Sequence, residues 1–151
     1  MKKAALVLCL IMLSGCGGPA PTATPNLNTP AGYRQGTVIR AERAANIINV
    51  AQSSCTTESI EECQRALKTQ EVAYAKTPEL APLDGRPLVC DRVASNYFIL
   101  INSGQDYFRQ MNTSAAQNDQ AALRQTAKER MVSFNQSWAA FNNAPTNDPC
   151  Q

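Results

Sequence analysis

The sequence predicts an all-α protein: a four-helix bundle, stapled by disulfides and running up-down-up-down, behind a signal-like start and a Pro/Thr-rich tether. Three observations carry that prediction. Four segments repeat apolar residues at spacings of three and four, the period of a helix that buries one face. The breaks between them are polar and mostly short, which suits antiparallel neighbours. Four cysteines follow position 16, and an even number in an exported chain reads as two disulfides.

The opening segment sets the compartment. Lys2 and Lys3 precede an apolar run over residues 4–13, and Leu13-Ser14-Gly15-Cys16 closes it. A positive end, an apolar core and small residues at a cut form the order of a secretory signal. The run is too short for a spanning helix, which needs about 20 apolar residues. Its last four residues resemble the lipobox of bacterial lipoproteins, and the resemblance covers this opening segment alone. It implies cleavage before Cys16, diacylglycerol on the Cys16 sulfur and acylation (palmitate or a similar chain) of the new amino end. The membrane then becomes a partner through the lipid on Cys16, and the protein belongs to the bacterial cell envelope. Gly17, where an aspartate would imply inner-membrane retention, favours the outer membrane if the organism has two. Cys9 leaves with the signal. The expected organisation is a signal peptide over residues 1–15, a lipid anchor and flexible linker over 16–32, and the helical domain over 33–151.

The linker reads GGPAPTATPNLNTPAG. Pro19, Pro21, Pro25 and Pro30 favour extended, solvated backbone that builds no core. From Tyr33 the period turns helical: Val38, Ala41, Ala45, Ile48 and Ala51 form a stripe that Ala44 and Ile47 widen. This first helix is expected to stop near Ser53 and Ser54, whose hydroxyls compete for backbone hydrogen bonds. A second helix starts near Thr56 to Ser59, where Ser59 and Glu62 have capping-box spacing and Glu58 and Glu61 suit the positive end of the helix dipole. Its stripe is Ile60, Cys63, Leu67 and Tyr74, with Ala66 and Val72 nearby, and it ends before Pro78. The long connection, residues 77–87, follows with three prolines and an Asp-Gly turn signal.

The third helix has the most regular stripe: Cys90, Val93, Tyr97, Leu100, Gly104, Tyr107 and Met111, broadened by Phe98, Ile101 and Phe108. Gly104 costs roughly 1 kcal/mol against alanine in a helix interior, so its place on the stripe predicts close approach of a neighbouring helix. The fourth begins near Asn118 and Asp119, both good N-caps. Leu123, Ala127, Met131, Phe134, Trp138 and Phe141 form its buried side, and it ends over residues 142–145.

This topology chooses the cysteine pairing. Cys55 follows the first helix and Cys63 lies early in the second, at one end of the bundle. Cys90 opens the third helix and Cys150 follows the fourth, at the other end. The expected bridges are Cys55–Cys63 and Cys90–Cys150. Redox and zinc sites place cysteines at closer paired spacings than these.

Composition removes other chemistry. The chain has no histidine, so Ser-His and Cys-His nucleophilic pairs and His-ligated metals are excluded. Once Lys2 and Lys3 are gone, the remaining basic residues of the original 14 equal the 12 acidic ones, and no basic field is left to hold nucleic acid. Glu58, Glu61 and Glu62 are explained by capping, and Asp106 with Arg109 by an ordinary helical ion pair. Ser95, Ser103 and Ser133 lack an activating partner. No cofactor, metal site or catalytic residue is expected. The expected function is that of a non-catalytic, membrane-tethered module that contacts another envelope or extracellular protein. The alternative is a small-ligand-binding bundle that uses the interior of the last two helices, with Tyr97, Tyr107, Phe134 and Trp138 lining the pocket.

Overall fold

The computed structural model describes residues 24–57, 59–77, 86–143 and Cys150; the signal-like segment, Cys16 and most of the long connection lie outside them. Four helices form: α1 (Pro30–Thr57), α2 (Ile60–Ala75), α3 (Asp91–Ala116) and α4 (Gln120–Asn142). A 3-10 turn, Leu88–Cys90, leads into α3. The described residues contain no strand, and no described helix is long and apolar enough to cross a membrane.

α1 begins before Tyr33, inside the segment read as linker. Pro30 fits its first position, where no N–H is needed, and the Thr29 hydroxyl oxygen accepts from the Gly32 N–H at 3.2 Å. Leu27 packs back over Gly36, close enough that a Cβ there would lie 2.4 Å from the leucine methyl. At its other end α1 does not stop at Ser53 and Ser54. The helix runs on past them, and the Thr56 and Thr57 hydroxyls donate back along it, Thr56 to the Gln52 carbonyl at 2.9 Å and Thr57 to the Ser53 carbonyl at 2.8 Å. Cys55 is therefore in the last turn of α1 rather than after it.

The other boundaries follow local chemistry. Ser59 and Glu62 make the reciprocal capping box at the start of α2. Asn118 does not cap α4; it takes the left-handed conformation (φ 56°) that asparagine tolerates. Asp119 caps alone, its Oδ1 accepting from the N–H groups of Ala121 and Ala122 at 2.9 and 3.1 Å.

Cross-helix hydrogen bonds set the directions. Gln64, early in α2, donates to the carbonyl of Ala115, late in α3, while Tyr74, late in α2, donates to Ile101. Asn96 of α3 donates to Ala140 of α4, and Thr126 of α4 to Ser114 of α3. The start of α1 lies beside Cys90 and Cys150, and its end beside Cys63. The bundle is thus up-down-up-down. α1 and α3 touch across it, whereas α2 and α4 sit apart. The alanines on the buried side of α1, Ala41, Ala44 and Ala51, make room for that short diagonal.

The whole α3 stripe is buried, with Cys90, Val93, Tyr97, Leu100, Gly104, Tyr107 and Met111 all inside. Each large side chain so buried contributes roughly 1.5–3 kcal/mol. Val72 departs from expectation: it sits at the edge of the α2 stripe and is 57% exposed. Disulfides close both ends, Cys55–Cys63 with Cα atoms 4.5 Å apart and Cys90–Cys150 at 5.0 Å. These are the pairings the topology predicts.

Candidate functional site

Three of the four residues expected to line a ligand pocket occupy the packed interior, and the fourth packs against it. Tyr97, Tyr107 and Phe134 are essentially inaccessible, and Trp138 is half-buried against the core. The edge of Tyr97 meets Phe141, with ring centroids 6.1 Å apart, and Trp138 tilts against the same ring at 6.2 Å. The Arg34 guanidinium lies over the Phe141 ring, 5.0 Å from the centroid, a cation–π contact that ties α1 to α4. Deeper in the bundle, Phe108 contacts both Tyr107 at 5.5 Å and Tyr74 at 5.4 Å.

Three buried tyrosine hydroxyls serve as cross-helix ties. Tyr107 donates to the Gln52 side-chain oxygen at 3.0 Å, joining α3 to α1. Tyr74 donates to the Ile101 carbonyl at 3.1 Å, and Tyr97 to the Thr77 carbonyl at 3.4 Å. Burial raises all three phenol pKa values because the phenolate would lose its hydration; Tyr97 is pushed up to about 12. Tyr33 is also raised by burial, opposed by the charges of Arg86 and Arg40 and reinforced by Asp91. At neutral pH these groups are hydrogen-bond donors and ring surfaces, not acids or bases.

Concavities lie on the outside of the bundle. A groove of about 350 Å³ runs along α1 and reaches α2, lined by Ile39, Arg43, Asn46, Val50 and Gln70 among others. A smaller crevice of about 210 Å³ lies between α2 and α3 at Glu71, Tyr74, Gln105 and Phe108. A third depression is polar, with Asn102, Gln105, Asp106 and Arg109. None of these is lined by Tyr97, Tyr107, Phe134 or Trp138. Asp106 pairs with Arg109 as its spacing predicts, and Arg130 of α4 approaches the same carboxylate at 3.5 Å. Among the described residues no group of three or more His, Cys, Asp or Glu comes together to hold a metal ion.

Some polar residues on the helix surfaces bond across to neighbouring helices. Gln64 and Asn96 are spent on neighbouring helices, and Asn112 donates to Glu71 at 3.0 Å. Buried residues outside the expected stripes include Tyr33 and Thr37 in the first turns of α1 and Ala94, Ser114 and Ala115 in α3. The signal was available, because Tyr33, Thr37, Ala41, Ala44, Ile48, Ala51 and Cys55 follow one three-and-four register from the expected start of the helical domain. Cys16, the lipid-attachment candidate, lies outside the described residues. The chain matches no protein-family model, no curated protein and no solved structure.

Proposed function

We propose that this chain is a bacterial envelope lipoprotein, held to the membrane by lipid on Cys16, whose bundle acts without catalysis by contacting another envelope or extracellular protein. The observation that carries the reading is the order of parts along the chain. A signal-like start closes on Leu13-Ser14-Gly15-Cys16, a proline-rich tether follows, and then comes a small bundle with a disulfide at each end. Two such bridges belong to an oxidising compartment. The tether joins the bundle at the start of α1, so the far turns and the helix faces are left to meet a partner. Gly17 after Cys16 favours the outer membrane where there are two.

The test has two arms. Mass spectrometry of the purified chain should find a diacylglycerol-modified amino-terminal Cys16, and Cys16→Ala should leave the membrane fraction. In-cell photocrosslinking should then capture one protein reproducibly from a subset of probes at Val50, Val72, Ile99 and Val132, one exposed aliphatic position on each helix. An unmodified Cys16 would sink the anchor, and lipidation without specific capture would sink the interaction role.

A further inference from the structure

We propose that Leu88 and Val89 form a membrane-contacting tip that seats in the headgroup–acyl boundary of the bilayer beside the lipid anchor; this rests on the anchor reading above. Leu88 is 83% exposed, the highest value among the described large apolar residues, and its neighbour Val89 is 47% exposed. They are presented stiffly. The 3-10 turn is closed by the Cys90 N–H donating to the Pro87 carbonyl at 2.8 Å, and Cys90 is bridged to Cys150.

The position of this turn selects the occupant. The Cys90 and Cys150 sulfurs lie 4.0 and 3.6 Å from the carbonyl oxygen of Pro30, the first residue of α1. The apolar pair is therefore fixed where the tether enters the bundle. From Cys16 to Leu27, which packs on Gly36, the tether reaches about 34 Å at roughly 3.1 Å per residue, and less on average. That length lets this end touch the bilayer and keeps it near. The opposite end is different: its turns carry Ser53, Thr57, Ser59, Gln117, Asn118 and Asp119, and no described large apolar residue there is exposed.

A two-residue convex tip suits a lipid interface, which needs no complementary groove. Asp91 next to it is paired with Arg86 at 2.6 Å, which blunts its repulsion from anionic headgroups. Arg92, exposed in the first turn of α3, adds a cation suited to phosphate. Seating this end would stand the bundle upright and hold the α1–α2 and α3–α4 turns roughly 35–40 Å from the lipid, the length of helices this long at about 1.5 Å per residue.

The test uses the full lipidated chain, with Trp138→Phe to remove the native indole, in phosphatidylethanolamine–phosphatidylglycerol vesicles made with or without brominated acyl chains. Leu88→Trp is compared with Ala121→Trp at the far end, and Val89→Trp repeats the measurement should Leu88→Trp not fold. The expected result is several-fold quenching and a blue shift for the indole at position 88 or 89, and neither at 121. Equal emission with both lipids, while the lipidated chain still pellets with the vesicles, would overturn the contact and leave the anchor standing. Equal quenching at both ends would overturn it too, because the bundle would then lie flat. If mass spectrometry finds no lipid on Cys16, the anchor fails and this contact falls with it.

Discussion

The ring of Tyr74 lies directly over Gly104. A Cβ at position 104 would sit 2.0 Å from the tyrosine hydroxyl oxygen and 2.3 Å from Cζ. The hydroxyl reaches past the glycine to the Ile101 carbonyl, so α2 and α3 are joined by a ring that needs the absence of a side chain on the facing helix.

Gly104→Ala should therefore destabilise the protein, although alanine is the better helix former by about 1 kcal/mol. Overpacking of this kind costs about 1–3 kcal/mol. Urea denaturation should show a lower midpoint for the single variant. In a Tyr74→Ala background the same change should become neutral or stabilising, and an unchanged penalty there would show that the ring is not the obstacle.

The two disulfides should contribute unequally. By loop-closure entropy the Cys55–Cys63 bridge, eight residues apart, is worth up to about 2.6 kcal/mol, and Cys90–Cys150, sixty apart, up to about 4.3 kcal/mol. Paired Cys→Ala variants should follow that order in melting temperature. A larger loss from the Cys55–Cys63 pair would mean that packing around α1 and α2, not chain entropy, dominates.

All four tyrosines have raised pKa values, led by burial. The folded state holds each phenol proton more tightly than the unfolded chain, whose tyrosines titrate near 10. This contribution to stability is fully present below about pH 10 and is lost as pH rises through the folded values, about 12 for Tyr97. Phenolate absorbance should stay low in the native protein near pH 10 and then appear together with loss of helix. Early titration of one tyrosine in a folded protein would contradict its burial.

Asp119→Ala should cost about 1 kcal/mol, because Asp119 satisfies two N–H groups of the first turn of α4. Asn118→Gly should be tolerated, since the backbone there has φ 56°. Chemical denaturation of the two variants separates a capping role from a turn role.

Much of this fold is legible in the sequence. The α3 stripe from Cys90 to Met111 is buried residue for residue, and Ser59 with Glu62 forms the box their spacing predicts. Both features are local: a helical period or a cap needs only a few neighbouring residues. The ends of α1 were less legible. Pro30 and the Ser53–Thr57 run look like breakers, yet Leu27 packing on Gly36 and the Cys55–Cys63 bridge hold the helix open at both ends. The candidate pocket was least legible, because aromatic residues at stripe positions read alike whether they line a cavity or fill a core.

The sequence by itself determined four helices, which face of each is buried, and, through their order, which cysteines can meet. Only the tertiary structure decided that α1 and α3 touch across the bundle, that Tyr74 covers Gly104, that Tyr107 finds Gln52, and that Leu88 stands out beside the start of α1. Periodicity reports how a helix is rotated toward the core. It does not report the distance or the partner across the interface, because those depend on the side-chain volumes of all four helices packed together.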